Sequence, residues 1–585
     1  MLDPKLIERA TAWTSNDCDE ESRNAGLALI QAGDAKQMAE HFGESLRFGT
    51  AGLRALVGPG PSRMNRAVVR RTTQALAIYL KRQPGNQGLP VVVAYDGRLT
   101  SRCFAEETVG VLVANGIAVR YFDEPTATPI AAYALRRYSA VAAVVVTASH
   151  NPADYNGYKL YAPNGAQIVS PTDEIIADLI ETLPPAKDIR SVAGAMSGAP
   201  DAMGRRLAEP VGEEVVEAYF RDIDAVRPRH GACRDLKIVY TAMHGVGYKP
   251  VKRALLTAGF THLIPVEEQV EPDGHFPTAP FPNPEEPGAL DLALATAARN
   301  DADLILANDP DADRLAACVR QEANPHGDGV LYKPLTGNQI GLVLADYLLE
   351  KYKGAERAMV VESIVSSPML RAVAAKYGAH CEQTLTGFKW LWNAALDLKE
   401  ARGLRYVFGF EEALGYSAGD IVRDKDGVSA ALLFAELAAE EKAKGSSILQ
   451  RLARMYREHG LWVSYQHSVT KAGADGIAQI GDAIERIAAA PPKELSNIPV
   501  TAVRDFRSGQ ESRPRWLENS PLLEFDLGEH GRVLARPSGT EPKLKIYVDL
   551  RSEVSESANV WQSEQEALVK ARELALAMVA LTGLS

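Results

Sequence analysis

Short runs of apolar, mostly β-branched residues alternate along the chain with longer segments that have helical spacing. A short apolar run between turn residues is typical of a buried strand, and the longer spacing is typical of an amphipathic helix. Repeated strand–helix alternation predicts parallel sheets in α/β domains. The predicted strands are Val91–Ala94, Ala143–Val146, Ile238–Tyr240, Leu304–Leu306, Met359–Val361 and Tyr406–Phe408. The predicted helices are Ala67–Arg82, Phe104–Asn115, Pro250–Ala258, Ala289–Asn300, Asn338–Lys353 and Lys389–Arg402.

This alternation restarts about three times, which predicts three similar α/β units without a strict sequence repeat. Segments Ser191–Pro200 and Gln321–Asp328 are candidate linkers, and a third break falls near Gly460. We therefore expect four domains, over residues 1–205, 206–322, 323–460 and 461–585. Residues 1–40 form a helical extension ahead of the first unit, and the last domain ends in a long helix, Ser557–Leu581.

Composition excludes several classes of protein. The 585 residues carry a formal net charge of −11, so there is no net-basic surface that would indicate nucleic-acid binding. Apolar runs are far shorter than the roughly 20 residues of a membrane helix, and the start lacks the apolar core of a signal peptide. The cysteines have no C-x-x-C spacing, which argues against a zinc finger, a disulfide scaffold or a thioredoxin-type site. We expect a cytoplasmic protein that binds neither nucleic acid nor membrane.

An acidic loop, Asn308–Arg314, follows the predicted strand Leu304–Leu306. Its aspartates Asp309, Asp311 and Asp313 alternate, so an extended backbone would direct all three carboxylates to one side. Three hard anionic oxygens suit Mg²⁺, because a cation must offset carboxylates held together. An EF-hand is excluded, since Arg314 and Arg320 stand where that motif needs Gly and Glu. The alternative is a solvated acidic turn that Arg314 neutralises.

Ser149 lies in the loop Thr-Ala-Ser-His-Asn-Pro, which follows the predicted strand Ala143–Val146. The flanking residues do not form the G-x-S-x-G elbow of a serine hydrolase. Side chains of adjacent residues also tend to point apart, so we do not expect His150 to act as the base of a triad. A serine that carries a phosphoryl group needs a nearby cation, which the aspartates could hold. Alternatively, Ser149 is only a helix N-cap.

Two further loops carry Gly and polar residues. Arg536-Pro-Ser-Gly-Thr combines a guanidinium, two hydroxyls and an accessible backbone, which together could bind an oxyanion. An ordinary turn with a surface arginine is the alternative. Gly245-Val246-Gly247 lacks the third glycine of a dinucleotide-binding fingerprint, so we expect no such site there.

Taken together, these loops resemble those of the α-D-phosphohexomutase superfamily, the phosphoglucomutase/phosphomannomutase family. The match runs from Arg54 to Lys543, and its four loops occur in the family's order. Thr-Ala-Ser-His-Asn-Pro resembles the phosphoserine loop and Asp-Pro-Asp-Ala-Asp-Arg the metal loop. Gly-Phe-Glu-Glu-Ala-Leu-Gly (409–415) resembles the sugar-recognition loop and Arg-Pro-Ser-Gly-Thr-Glu-Pro (536–542) the phosphate-binding loop.

The resemblance implies a role for each matching residue. Ser149 is the expected phosphoryl carrier, and it binds Mg²⁺ together with Asp309, Asp311 and Asp313. Arg54 and Lys159 match basic positions around the transferred phosphoryl group, and His150, Lys159 and Lys425 are candidates for the general base. The substrate-binding set that the resemblance implies is Arg314, Lys389, Glu411, Glu412, Lys425, Arg536, Ser538, Gly539, Thr540 and Lys543.

The implied fold is α/β, with three related mixed or parallel-sheet units and a smaller C-terminal α+β domain around a central cleft. In chain order these domains would carry the phosphoserine, the metal, the sugar and the phosphate site. The implied reaction is phosphosugar isomerisation through phosphorylated Ser149, with Mg²⁺ as cofactor and glucose 1,6-bisphosphate as primer. We expect a monomer or weak oligomer whose partner is a small phosphosugar.

The sugar itself is less narrowly defined by the resemblance. Thr386-Gly-Phe-Lys-Trp and Arg423-Asp-Lys-Asp-Gly resemble glucose-type members, which favours glucose 1-phosphate and glucose 6-phosphate. Ala413 stands where many members place a sugar-binding serine, so a pentose or mannose phosphate is the alternative. A phosphatase that uses Ser149 and a non-enzymatic sugar-phosphate-binding protein are the competing functions.

Overall fold

The computed structural model describes residues 3–49, 52–228, 234–321, 331–471, 473–538 and 543–584, and the side chains of 473–475 are excluded from the description. The chain begins with three helices that pack through Ala10, Met38 and Phe42. An aspartate directly before each helix accepts hydrogen bonds from its first turn, as an N-cap does. These helices are α1 (Pro4–Ser15), α2 (Glu20–Ala32) and α3 (Ala35–Phe42), which confirm the predicted helical extension.

The first α/β unit contains a mixed sheet in the order β1-β5-β4-β2-β3-β6. Strands β2, β3, β4 and β6 are parallel, whereas β5 runs antiparallel to both β1 and β4. The strands are β1 (Leu53–Leu56), β2 (Val91–Tyr95), β3 (Val119–Tyr121), β4 (Ala142–Val146), β5 (Tyr155–Tyr161) and β6 (Ala208–Pro210). The helices are α4 (Arg66–Arg82), α5 (Ser101–Ala114), α6 (Thr128–Arg137) and α7 (Thr172–Glu181).

A second sheet follows, in the order β11-β10-β9-β7-β8. Its strands β7, β8 and β9 are parallel and fully or partly buried, and β10 and β11 add to it as antiparallel strands. The strands are β7 (Ile238–Thr241), β8 (Leu263–Pro265), β9 (Leu304–Ala307), β10 (Ala316–Arg320) and β11 (Tyr332–Pro334). The helices are α8 (Glu213–Ala225), α9 (Tyr248–Thr257) and α10 (Asp291–Asn300).

The third α/β region contains the parallel strand order β13-β12-β14. Its elements are α11 (Gly337–Lys351), β12 (Ala358–Ser363), α12 (Met369–Lys376), β13 (His380–Thr384), α13 (Phe388–Arg402) and β14 (Arg405–Glu411). The chain continues through β15 (Gly415–Ala418), α14 (Gly427–Ala443) and α15 (Ile448–His459).

The C-terminal region is an antiparallel sheet, β16-β22-β21-β20-β19, with two helices and a small hairpin. Its strands are β16 (Leu461–Thr470), β17 (Glu494–Leu495), β18 (Ile498–Pro499), β19 (Ala502–Asp505), β20 (Leu523–Asp526), β21 (Gly531–Pro537) and β22 (Lys543–Ser552). Its helices are α16 (Gly473–Ala489) and α17 (Val560–Thr582).

The strands and helices predicted from the sequence are confirmed, because each overlaps an observed element and differs by at most 3 residues at either end. The candidate linker Ser191–Pro200 packs onto the first α/β unit through the buried Ala195. Most of the other candidate linker, Gln321–Asp328, lies outside the described residues. No helix in the described ranges is long and apolar enough to cross a membrane.

The chain divides into two compact units. The first unit comprises residues 1–334 and 415–436, and the second comprises residues 335–414 and 437–585. Residues 415–436 therefore belong with the first half of the chain although they follow β14 of the second unit.

Candidate active site

Ser149 lies just beyond the carboxyl end of β4, in a loop of the first unit. Its φ of +51° is in the left-handed region, which few residues other than glycine adopt. The backbone N–H of Ser149 donates to Oγ1 of Thr147 at 2.8 Å, which helps to hold this conformation. The Ser149 hydroxyl donates to Oδ2 of Asp309 at 2.6 Å. The predicted phosphoryl carrier thus contacts the predicted metal loop.

The prediction that the side chains of Ser149 and His150 point apart is wrong. Nδ1 of His150 lies 3.2 Å from Oγ of Ser149. Alternation of neighbouring side chains holds for extended backbone, and the left-handed turn at Ser149 breaks it. Desolvation, followed by the positive charges of Arg314 and Arg54, lowers the pKa of His150 well below its usual value. A neutral imidazole therefore faces the serine.

Arg98, which the sequence analysis missed, binds the backbone of the serine loop. Its guanidinium donates to the backbone carbonyls of Ser149 at 2.7 Å and Pro152 at 2.6 Å. The neighbouring carboxylate of Asp96 accepts a hydrogen bond from Oγ1 of Thr147 at 2.6 Å. Asp96-Gly-Arg98 directly follows β2, and β2 is the neighbour of β4 in the sheet. A polar loop at the carboxyl end of that strand could have indicated from the sequence that Arg98 lies near Ser149.

The metal loop brings Asp309, Asp311 and Asp313 together, with one oxygen of each carboxylate within 4.8 Å of the others. It does so as a turn and not as an extended segment, because the N–H of Ala312 donates to the carbonyl of Asp309 at 2.9 Å and Ala312 has φ +57°. The convergence was predicted correctly, but the extended backbone was wrong. A turn can direct the three side chains inward without alternation.

The carboxylates fit a hard divalent cation. All three aspartates are fully buried, and Oδ1 of Asp311 and Oδ1 of Asp313 have no hydrogen-bond partner among the described residues. Buried, unpartnered anionic oxygens are costly unless a cation offsets them. Burial, followed by the charges of the other two aspartates, raises the pKa of Asp309 well above its usual value.

Two lysines supply positive charge on one side of the cluster. Nζ of Lys159, on β5, lies 2.6 Å from Oδ2 of Asp311 and 2.7 Å from Oδ2 of Asp313. Nζ of Lys425 lies 3.3 Å from the same oxygen of Asp313. Burial alone would raise the pKa of Asp311, but the ion pair with Lys159 outweighs burial and lowers this pKa. The site therefore combines buried charges of both signs.

Glycines allow neighbouring loops to approach the metal loop closely. A Cβ on Gly245 would overlap the backbone of Pro310, and a Cβ on Gly427 would lie 2.8 Å from the carbonyl oxygen of Ala312. Gly245-Val246-Gly247 therefore packs against the metal loop, which gives a structural reason for its glycines.

Two arginines complete the set in the first unit. Arg54, on β1, donates to Oδ1 of Asn151 at 3.0 Å, beside the serine loop. The backbone N–H of Arg314 donates to Oδ1 of Asp309 at 2.9 Å, and its Nε lies 3.9 Å from Oδ2 of Asp309. The first unit thus contains these predicted site residues: Arg54, Ser149, His150, Lys159, Asp309, Asp311, Asp313, Arg314 and Lys425.

The predicted sugar-recognition residues Glu411, Glu412 and Lys389 lie in the second unit. Glu411 ends β14, and its Oε1 accepts a hydrogen bond from the N–H of Gly387 at 2.6 Å. Gly387 immediately precedes α13, and Lys389 is the second residue of that helix. The structure therefore places Glu411 at the segment that carries Lys389.

Glu412 is held by two serines that the sequence analysis missed. Its Oε2 accepts hydrogen bonds from Oγ of Ser363 at 3.0 Å and Oγ of Ser366 at 3.5 Å. The backbone N–H of Glu412 donates to Oγ of Ser366 at 3.2 Å. The signal was a serine-rich segment directly after the predicted strand Met359–Val361.

The described part of the predicted phosphate-binding loop comprises the last two residues of β21, Arg536 and Pro537, and Ser538, in the same unit. The N–H of Ser538 donates to the carbonyl of Lys543 at 2.7 Å, which closes the loop. Arg536 lies beside the buried Tyr547, whose pKa is raised by burial and next by the charge of Glu412. Gly539 and Thr540 lie outside the described residues.

A serine beside three buried aspartates, in a chain whose second unit carries the predicted sugar and phosphate loops, fits the class of sugar-phosphate mutases. Four family models match the chain: phosphoglucomutase/phosphomannomutase α/β/α domains I, II and III over residues 45–186, 187–323 and 336–456, and the C-terminal domain over 481–560. The protein belongs to the phosphoglucomutase/phosphomannomutase family. The resemblance and the four-domain α/β fold are therefore confirmed, whereas the domain boundaries at residues 205, 322 and 460 stay predictions.

Individual relatives cover most of the chain. A probable phosphomannomutase of Haemophilus influenzae is 39% identical over 85% of this chain and 95% of its own. The human phosphopentomutase is 34% identical over 94% of this chain and 92% of its own. The solved structure of phosphoglucomutase (parafusin) from Paramecium has a TM-score of 0.69 over 93% of this chain and 96% of its own, at 18% identity. That last likeness shows the fold alone.

Proposed function

We propose that the protein interconverts α-D-glucose 1-phosphate and glucose 6-phosphate, with Ser149 as the phosphoryl carrier. The observation that carries the proposal is the hydrogen bond of 2.6 Å from Ser149 to Asp309, within a cluster of three buried carboxylates. A lone loop serine would need neither the carboxylates nor the buried Lys159 beside them.

The reaction consists of two phosphoryl transfers. A free hydroxyl of the sugar monophosphate attacks phosphorylated Ser149, so that a new O–P bond forms and the bond from phosphorus to Oγ breaks. The proton of that hydroxyl passes to a base, for which His150, Lys159 and Lys425 remain the candidates. The resulting bisphosphate, glucose 1,6-bisphosphate, turns over and returns its other phosphoryl group to Ser149.

The three aspartates and Ser149 would hold Mg²⁺, the cation that their oxygens suit. The ion supplies positive charge where negative charge gathers on the transferred group. Lys159 and Arg54 add fixed positive charge in the same unit, and such preorganised charge lowers the barrier because it needs no reorganisation during the reaction.

The second unit would bind the rest of the substrate. Glu411 would contact the sugar hydroxyls, and Lys389 would add positive potential. Arg536, Ser538 and Lys543, with Gly539 and Thr540, would hold the phosphate that is not transferred. Arginine suits this role because its planar fork can bind two phosphate oxygens at once. A loop that binds either phosphate serves both half-reactions. We also propose the cytoplasmic location and the monomeric or weakly oligomeric state.

A pentose phosphate is the second candidate substrate. The human relative that covers most of this chain is named a phosphopentomutase, and a relative of Schizosaccharomyces pombe at 34% identity is named a probable phosphoribomutase. Ala413 offers no hydroxyl to the sugar, which is compatible with a sugar that has fewer groups to bind. Mannose is third, supported by the name of the Haemophilus relative.

A substrate panel tests the proposal. Glucose, mannose, ribose, deoxyribose and N-acetylglucosamine 1-phosphates are each assayed with a bisphosphate primer for isomer formation and for release of free phosphate. We expect isomer without stoichiometric phosphate release, and the highest rate with glucose 1-phosphate. A much higher rate with a pentose 1-phosphate would replace glucose with pentose, and phosphate release without isomer would indicate a phosphatase.

A further inference from the structure

The segment that carries Lys425 leaves its own sequence neighbourhood to join the first unit. Residues 336–456 match one family domain, yet residues 415–436 pack with residues 1–334. The guanidinium of Arg423 donates to the carbonyl of Asn164 at 2.6 Å, and that of Arg136 donates to the carbonyl of Ile421 at 2.8 Å. Specific contacts therefore hold this segment against α6 and the loop that follows β5.

Asp424 stands at the centre of these contacts. Its Oδ2 accepts hydrogen bonds from Oη of Tyr161 at 2.6 Å and from Nε2 of Gln167 at 2.8 Å. Its Oδ1 accepts a hydrogen bond from the N–H of Lys425 at 2.7 Å and lies 3.3 Å from Nζ of Lys425. Tyr161 is 0%, Gln167 6% and Asp424 1% exposed, so water does not compete for these hydrogen bonds.

The two oxygens of Asp424 thus have different roles. One is occupied by Tyr161 and Gln167, and the other faces the ammonium of Lys425, which also lies 3.3 Å from Oδ2 of Asp313. A lysine side chain is long and flexible, so a point charge at its end needs fixed partners to stay in one position. A carboxylate that cannot rotate is such a partner.

From this arrangement we infer that Tyr161 and Gln167 are positioning residues, which act through Asp424 to hold the Lys425 ammonium at the phosphoserine and metal-loop centre. The inference rests on the proposed function, in which charge at this centre stabilises the transferred phosphoryl group. It assigns their effect to the transfer step and not to sugar binding, because Lys425 neighbours Asp313 in the first unit whereas Glu411 and Arg536 lie in the second.

Strand β5 provides a matched control. Tyr161 and Lys159 are two residues apart and share one face of the strand, whereas Tyr158 lies on the other face. The hydroxyl of Tyr158 is also fully buried, but it lies 3.1 Å from Oγ1 of Thr73 on α4. Removing either hydroxyl therefore disrupts buried hydrogen bonding on the same strand, and only the Tyr161 hydroxyl contacts Asp424.

The test compares Tyr161→Phe with Tyr158→Phe in the full-length protein. We expect Tyr161→Phe to lower kcat about tenfold, and the single-turnover dephosphorylation of phospho-Ser149 by the same factor, with KM changed less than about twofold. Tyr158→Phe should leave kcat unchanged. Gln167→Met removes the second donor to the same oxygen and should act in the same direction, which keeps the inference testable if Tyr161→Phe does not fold.

Coupling to Lys425 is measured in a double-mutant cycle. In a Lys425→Ala background, Tyr161→Phe should have no further effect on the transfer rate, because the ammonium that Asp424 positions is gone. Equal effects of Tyr161→Phe and Tyr158→Phe, or an undiminished effect in the Lys425→Ala background, would overturn the inference while leaving the mutase in place. A wild-type protein without phospho-Ser149 or isomer formation would instead contradict the proposed function.

Discussion

Asp311 forms an ion pair with Lys159 and accepts a hydrogen bond from Thr128 through one oxygen, while its other oxygen has no hydrogen-bond partner among the described residues. Asp311→Asn removes one charge with little change of shape. We expect turnover at saturating sugar phosphate to fall at least as far as the roughly 10–100-fold that altered outer-shell partners of metal sites cost. The measurement is activity as a function of Mg²⁺ concentration, which should show weaker apparent affinity. Full activity of EDTA-treated wild-type protein would refute the metal assignment.

Arg536 is expected to hold the phosphate that stays in place, in both substrate orientations. Arg536→Ala should weaken sugar-phosphate binding by about 1.5–3 kcal/mol, the range for a hydrogen bond to a charged group. KM should rise in the forward and reverse directions, and turnover should depend more on added primer because bisphosphate escapes. Phosphorylation of Ser149 should survive.

Arg504→Ala is the control for Arg536, because Arg504 lies on β19 of the same sheet and forms ion pairs with Glu524 and Asp526. It should change neither KM nor the primer requirement. If Arg536→Ala behaves in the same way, the loop is an ordinary turn and the phosphate assignment is wrong.

Glu362 makes stability depend on pH. Its carboxylate is fully buried, neither oxygen has a hydrogen-bond partner among the described residues, and Nε of Arg371 is 4.0 Å away. Burial raises the pKa of Glu362 from 4.5 to about 8. The unfolded chain therefore loses this proton first, and Glu362 lowers the stability of the folded state as pH rises from 4.5 towards 8.

Glu362→Gln removes that titration. The melting temperature of the variant relative to wild type should increase as pH rises between 4.5 and 8. The increase in melting temperature should correspond to a few kcal/mol in the free energy of unfolding, since each unit of pKa shift is worth about 1.4 kcal/mol. Melting curves of the two proteins at both ends of this range provide the measurement. A constant difference would mean that Glu362 is ionised, or neutral, throughout.

Among the elements, the contact of α14 with the metal loop depends on its first residue. A Cβ on Gly427 would overlap the carbonyl oxygen of Arg314 and lie 2.8 Å from that of Ala312. Gly427→Ala should therefore displace the helix start or the metal loop, lower kcat at least about tenfold and weaken the Mg²⁺ response.

Gly481→Ala is the matched control on another helix, α16, because a Cβ there has nothing within 4 Å. This change should leave activity intact and raise stability by about 0.5–1 kcal/mol, the gain expected from replacing a helical glycine. Equal activity of the two variants would show that the close approach at Gly427 does not matter.

The sequence predicts strands and helices well because apolar periodicity reports burial directly. It also predicts that polar loops follow the strands, such as the loops of Ser149 and Asp309, because parallel strands direct their carboxyl ends to one edge. It does not predict the left-handed φ of Ser149, which turns His150 towards the serine hydroxyl. Nor does it predict that Asp309–Asp313 is a turn. Both turns are held by short-range hydrogen bonds, from Ser149 to Thr147 and from Ala312 to Asp309, which the pattern of apolar positions does not report.

For the whole molecule, the sequence predicts four domains, and the family matches support four. It gives no sign that residues 415–436 pack with the first unit, because this depends on contacts such as Arg136 with Ile421 and Tyr219 with Asp426. The members of such pairs are far apart in sequence, and a local pattern does not report which distant segments meet. The placement matters because it brings Lys425 to Asp313.

In the proposed reaction, Ser149 carries the phosphoryl group between sugar molecules. The most direct measurement incubates the protein with radiolabelled sugar bisphosphate, locates the label by peptide mass spectrometry and then adds unlabelled sugar monophosphate. We expect label on Ser149, its transfer to the sugar, and neither label nor turnover in a folded Ser149→Ala variant. Wild-type turnover in Ser149→Ala, or label that leaves only as inorganic phosphate, would contradict the proposed reaction.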